Sequence, residues 1–583
     1  MNGWRWGWAA SLILLVAALL AVPHGPARSG YDSSEMLGWR PDDAAERALR
    51  QRPPGSHLNV FLPSLPYIYT SHAINAGFIR PANNDRGWQY DVATDILQLN
   101  DTTYDVTLRD GVRFQDGSPF NADAVLLNMQ YFKKAPFLFT NIDKDFDYAE
   151  KIDDRHVRFH LKEKYGQFFN DLIWLHFYTK QYLEKFGWNG KATCPNLAEP
   201  GPYGLGPFIL KAGYVEGDRH SAQVELVANP YYWDKRYPMV EGVTIFTEMT
   251  TTDALQAALY DEKMDIAPVS FDAKEQTILS PYAKAVISPS LNTRAIHFNM
   301  RDGNPRLLDL EVRKALNIAI KQSDITDWVD YGEGRETAVG TAPDFPGVRS
   351  TAASLKPYST VTNPDTPQEQ AYLRSVLSGL TLKVILQERF MPLFRAIDYR
   401  LAQVGVHLQF DVVESEKDVF AQLLTTNARK NDKNWDILIW GDDDWYYNHP
   451  WSSFLVFRTS NYWSTISQDD KLDGMIAELF RSTIGTAEFD RISGQIMKHV
   501  YDNAYMLFAP NANQIFAVNK EVAFTPYRMA SMPLWEIAVT PEHWSVRRGI
   551  YPQELRKPVQ LVRYNFGEHP EAQARVLSQD EQR

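Results

Sequence analysis

The chain holds one cysteine, Cys194, among 583 residues. That excludes an internal disulfide and any CxxC metal or redox site; a lone thiol reads as a packed small side chain. Positive charge is in short supply, with 60 Lys and Arg against 72 Asp and Glu and a net charge of -12. A nucleic-acid binder would carry a basic face, so no nucleic-acid partner is expected. There is no second long apolar run after the N-terminal one, and no internal repeat. Catalytic signatures are missing too: no G-x-S-x-G elbow, no H-E-x-x-H helix, no G-x-x-x-x-G-K-[ST] loop. No cofactor is expected, and a secreted hydrolase is the weakest reading. Adjacent acids such as Asp443 and Asp444 lack the fixed separation that paired-carboxylate chemistry needs.

What is present begins with Trp8 to Val22, an uncharged apolar run preceded by Arg5 and followed by Pro23, Gly25, Pro26 and Ala27. It is short for a membrane span and fits a secretory signal over residues 1–27, with an uncleaved anchor as the alternative. Residues 28–55 read as a polar linker and 571–583 as a charged, disordered tail. Aromatic content is 13%, which fits both large cores and an amphipathic ligand cleft. His57 to Leu62 reads as the first strand of the folded body. In Arg155 to Leu161, Val157, Phe159 and Leu161 alternate with His156, Arg158 and His160, a strand with one face in solvent. Leu310, Val312, Leu316, Ala319 and Ile320 form a helical stripe starting near Asp309. Phe390, Phe394, Ile397, Leu401 and Val404 form another, stopped by Gly405. Strands at Val406–Val413 and Asp436–Trp440 follow, and such alternation predicts an α/β fold.

Tyr104 to Phe132 is the densest motif. Val106 and Leu108 lie on a strand that turns at Arg109-Asp110-Gly111 into a second short strand, Val112 to Phe114. Ser118-Pro119 then opens a helix through Asn121 to Ala124. Further along come Gly204-Leu205-Gly206-Pro207-Phe208 and Asn229-Pro230-Tyr231-Tyr232-Trp233. Asp253 to Leu259 follows with Met264 to Ala267, and then Ala295 to Asn299 with Val312 to Ile320. In this order the chain resembles the peptide- and nickel-type periplasmic solute-binding proteins of ABC importers, family 5 of the extracellular solute-binding proteins. The likeness runs from about residue 57 to 540 and is weak over 345–385.

The resemblance implies two α/β lobes closing on a ligand by hinge bending, with an inserted domain. Lobe 1 would comprise 56–80, 205–290 and 512–570, the insert 81–204, and lobe 2 residues 291–511. It also implies that Gly204 and Gly206 mark a crossing between lobes. The implied partners are a short peptide or related cationic small molecule and the permease subunits of an inner-membrane transporter. The implied protein is periplasmic, monomeric and not an enzyme. A nickel-chelate binder is the alternative, and coupling to a chemosensory protein is a further one. The family's pocket maps onto Trp440 to Pro450. Its relatives place an aspartate three residues after the tryptophan to pair with a peptide's amino terminus, and here that is Asp443. Three acids, Asp442, Asp443 and Asp444, then Trp445, Tyr446, Tyr447 and His449, make a candidate cation-recognising wall. Tyr67, Tyr69 and His72 map to the first pocket loop. His176 maps near the position where nickel-chelate binders offer an arginine.

Overall fold

A computed structural model describes residues 52–62, 67–84, 86–133, 145–186, 199–216, 219–291, 293–414, 418–419, 421–422, 435–442, 456–459, 464–528, 531–556, 560–565 and 573–577. Lobe 1 is built on a nine-stranded mixed sheet. Its spatial order is Gln573–Leu577, Leu561–Asn565, Ala283–Ser288, Gln514–Asn519, Ile266–Pro268, His57–Phe61, Gly242–Phe246, Gln223–Ala228 and Phe208–Ala212. His57–Phe61 runs parallel to both of its neighbours. Its Leu58 and Val60 are fully buried, and every residue of Ala283–Ser288 is buried, as expected of strands covered on both faces. The helix Thr251–Leu259, capped by the Thr250 side chain on Asp253 N, packs Ala254, Ala257, Ala258 and Leu259 against this sheet.

One buried carboxylate gathers the bottom of lobe 1. Asp265 Oδ2 accepts from Asn59 N at 2.7 Å. Its Oδ1 accepts from His543 Nε2 and Trp544 Nε1 at 2.8 Å each, and from Asn519 Nδ2 at 3.3 Å. His543 Nδ1 lies 2.9 Å from Ser545 Oγ, which also takes the His57 N–H. Serine, histidine and aspartate thus stand in the order of a hydrolase triad. Here they tie together the strands His57–Phe61 and Ile266–Pro268, the end of Gln514–Asn519 and the C-terminal segment, and the serine oxygen already holds the main chain.

Both ends of the chain differ from the sequence reading. Residues 52–55, assigned to the linker, are fastened to the body: Arg52 Nε donates to Pro238 O and Gly55 N to Glu241. Within the tail, Gln573–Leu577 pairs antiparallel with Leu561–Asn565. An otherwise open sheet edge supplies the hydrogen bonds that composition cannot reveal. Residues 1–51 and 578–583 lie outside the described residues.

The inserted domain centres on a four-stranded antiparallel sheet, ordered Ala93–Asn100, Thr103–Leu108, His156–Leu161, Phe146–Asp153. Val157, Phe159 and Leu161 face its core; His156 meets Asp153, and His160 stacks on Tyr148 with 4.2 Å between ring centroids. The helix of the Tyr104–Phe132 motif is Ala122–Phe132, with Asn121 as N-cap accepting from Ala124 N. The expected second strand is only an isolated bridge, Arg113 to Pro119. Thr103–Leu108 takes its partners from Ala93–Asn100 and His156–Leu161 instead, so the motif is not a hairpin. The domain also begins earlier than residue 81. Phe78 packs on Phe159 and Phe177, and Ile79–Pro81 pairs with Trp88–Tyr90.

Gly204 and Gly206 mark the return from this insert to lobe 1 rather than a crossing between lobes. Gly206 N donates to Ile74 O at 3.0 Å. A Cβ on Gly206 would lie 2.5 Å from Ile74 C, and one on Gly204 2.5 Å from Ile74 O. Close approach of two backbones, not unusual dihedrals, is what these glycines allow. Gln115, inside the insert, seals the junction by donating to Ile74 O and Phe208 O while accepting from Gly204 N.

Lobe 2 carries the sheet Thr293–Phe298, Ile437–Asp442, Thr381–Gln387, His407–Val413. The predicted stripes are the helices Leu310–Ala319, capped by Asp309, and Met391–Ala402. Gly405, with φ of 80°, turns the chain after the second. Asn299 donates to Trp435 O, and Asn317 bonds both Met506 O and Phe508 N, so the motif's asparagines brace loops. The chain leaves the lobe 1 sheet after Ser288 and enters the lobe 2 sheet at Thr293, and it passes between lobes again at 509–514, where Asn511–Ala512 pairs with Gly334–Arg335.

Candidate functional site

Thr293 is the first strand residue after the first crossover, and it pairs with Asp442, the last residue of the strand Ile437–Asp442. This register delivers the start of the acidic triplet to the side of lobe 2 that adjoins lobe 1. Two positions earlier, Trp440 is buried, and its Nε1 donates to His297 Nε2 at 3.1 Å. Burial pushes the His297 imidazole down to about 4, so at neutral pH it is uncharged and able to accept that bond. In the sequence His297 stands only inside the strand motif Ala295 to Asn299; its partnership with Trp440 follows from strand pairing, which sequence spacing does not show. Asp443, Asp444, Trp445, Tyr446, Tyr447 and His449 lie outside the described residues.

From lobe 1, Tyr67 and Tyr69 belong to the helix Tyr67–Ile74, as does His72. His72 and His176 come together, 4.7 Å apart in an edge contact, and both are buried. His72 Nε2 lies 2.9 Å from Ile173 O. Burial lowers His72 to about 3 and holds His176 well below the ordinary imidazole range. The pair is therefore neutral and enclosed, and presents no charged surface in this arrangement. Among the described residues no group of three or more His, Cys, Asp or Glu is placed to hold a metal ion.

The same helix and the residue that follows it carry polar atoms with no protein hydrogen-bond partner. Thr70 Oγ1 and both ends of the Asn75 amide are buried and unsatisfied. Such groups normally meet water or a ligand. The turn Leu534–Glu536 packs against this helix. Burial raises the Glu536 carboxyl to about 7, with Arg80, the Tyr527 hydroxyl and the Trp535 indole opposing the rise. Arg528 O accepts from Leu291 N at 2.7 Å, which sets this loop against the first crossover. Sequence reasoning missed Glu536 and Tyr527, since both sit in loop sequence without periodicity.

Two α/β lobes joined by two crossovers, one lobe bearing an inserted domain, define the periplasmic binding protein class. Residues 88–464 match the family model described as bacterial extracellular solute-binding proteins, family 5 Middle, and the chain belongs to that family. Among curated relatives it is 28% identical to the glutathione-binding protein GsiB of Salmonella typhi over 253 residues, covering 41% of this chain and 45% of the relative. It is likewise 28% identical to a dipeptide-binding protein of Pseudomonas aeruginosa over 266 residues, covering 41% and 47%. The chain thus spans about half the length of these relatives. Among solved structures, NikA from Brucella suis in complex with Fe(III)-EDTA superposes with a TM-score of 0.68 at 18% identity, over 83% of this chain and 100% of that one. DppA from Helicobacter pylori in complex with the peptide STSA gives 0.67 at 15% identity, over 85% and 99%.

Proposed function

We propose that this chain is the periplasmic substrate-capturing subunit of an ABC importer. It takes a short peptide, or a related cationic small molecule, between its lobes and delivers it to membrane permease subunits. Export depends on residues 1–27, and the protein acts as a monomer without chemical turnover. The observation that carries this reading is the register of Thr293 with Asp442, which starts an acidic, aromatic segment beside the lobe crossing. A ligand ammonium leaving water there needs a carboxylate partner, and Asp443 is the group assigned to it.

The test is calorimetric titration with short peptides that differ only in a free or acetylated amino terminus. Wild type should prefer the free amine. Asp443→Asn should weaken that peptide by roughly 3 kcal/mol, the cost of leaving one buried charge unpaired. Equal affinities for the two peptides, or an unchanged Asp443→Asn variant, would remove Asp443 from the pocket. Native mass spectrometry of the purified protein identifies the ligand class directly; a metal-chelate mass would overturn the peptide assignment.

A further inference from the structure

Away from the cleft, one carboxylate joins the two lobes by charge. Glu333 belongs to lobe 2, between the helix Gln322–Trp328 and the short strand Gly334–Arg335. Its side chain is only 4% exposed. Arg563, on the strand Leu561–Asn565 of lobe 1, grips it with both terminal nitrogens at 2.6 Å. Lys274, at the start of the lobe 1 helix Lys274–Ile278, reaches the same carboxylate at 3.0 Å. Asn513, on the second crossover, donates to it from Nδ2 at 3.2 Å and to Glu333 O from its main chain at 2.9 Å. Burial alone would raise the Glu333 carboxyl; Arg563 and Lys274 overcome this and hold it at about 2, so it is ionised at any physiological pH.

Three features separate this group from an ordinary surface ion pair. Its acceptor is buried. The arginine contact is bidentate, which fixes orientation as well as distance. Its donors come from two lobe 1 elements and from the crossover itself, so a change in lobe angle must break or carry all of them. The carboxylate sits beside the 509–514 crossover, at the pivot.

We propose that Glu333, Arg563 and Lys274 form a clasp at the pivot that sets the relative orientation of the lobes, with the C-terminal hairpin as the strap that brings Arg563 to it. The clasp rests on the two-lobed fold and not on the identity of the ligand.

The test uses full-length, ligand-free protein carrying Cys194→Ser, with spin labels at Lys263→Cys on lobe 1 and Arg395→Cys on lobe 2, both exposed positions. With the clasp intact, pulsed electron paramagnetic resonance should give one narrow interlobe distance distribution. Glu333→Gln and Arg563→Ala should each add a second population at a different distance. If Glu333→Gln fails to fold, Arg563→Ala carries the test, since its side chain is a third exposed and lies near the chain's end. Distributions unchanged in a folded variant, with or without a lower melting temperature, would reduce the clasp to a local stabilising contact and overturn the proposal. Failure of peptide binding would leave this result untouched.

Discussion

Asp265→Asn is the sharpest perturbation the fold offers, because it changes one atom at a point where only donors converge. The carboxylate accepts four hydrogen bonds, from Asn59 N, His543 Nε2, Trp544 Nε1 and Asn519 Nδ2. An amide can satisfy only one side. Facing its oxygen to the three donors at Oδ1 leaves the buried Asn59 N–H opposite a second donor, at about 1–3 kcal/mol for the unsatisfied group. The three remaining bonds lose their charge assistance, at roughly 1 kcal/mol each. The loss should be about 4–6 kcal/mol, where most point changes cost far less. Urea unfolding followed by far-UV circular dichroism measures it. Native-state hydrogen exchange at the Asn59 and Asn519 amides locates it, since both amides lie in this network. A loss below about 1 kcal/mol with normal exchange at Asn59 would refute the reasoning. So would a loss confined to lobe 2.

Other outcomes follow from the same interior. Lys284 is fully enclosed in the lobe 1 sheet, bonded to Val522 O at 2.8 Å, and burial lowers its ammonium to about 8, with Lys520 lowered similarly. Between pH 8 and the unfolded value of 10.5 the unfolded state holds more protons, so stability should rise with pH by up to roughly 1.4 kcal/mol per unit for Lys284. The rise should end near pH 10, where tyrosines whose ionisation is suppressed by burial, such as Tyr551, favour the unfolded chain. A melting temperature that falls steadily from pH 7.5, or a rise undiminished in Lys284→Met, would contradict this. Gly206→Ala would place a Cβ 2.5 Å from Ile74 C, backbone against backbone, and should cost about 3 kcal/mol or more, read as loss of soluble folded protein. Wild-type yield and melting temperature for that variant would rule the close approach out.

Much of this fold is legible in the sequence because its elements state their own ends. Asp309 and Gly405 bracket helices that the apolar stripes already predicted, and alternation in His156–Leu161 gave the insert's sheet its buried face. Legibility stops where a decision belongs to a distant partner. Val112–Phe114 looks like a hairpin strand, but Thr103–Leu108 finds better-matched neighbours on both sides. The glycines at 204 and 206 advertise a special backbone site without saying which backbone comes close. The candidate site was readable only in part for the same reason. Trp440 and the acids are visible as a motif, whereas His297 and Glu333 acquire meaning only from residues more than a hundred positions away, and Glu536 from a burial that the sequence does not show.

The junction of Ile74 and Gly206 has a consequence for how such a protein changes over generations. The chain departs from the scaffold at Ile74 and rejoins it at Gly206, and the insertion between is fastened there by Gln115 and by the bonds of Asp91 to Tyr232 and Trp233. Loops of the insertion remote from those contacts can lengthen without touching the sheet beneath. The capture machinery and the module riding on it can therefore change at different speeds only where the contacts they share, such as Asp91 with Trp233 and Gly166 with Phe480, are kept.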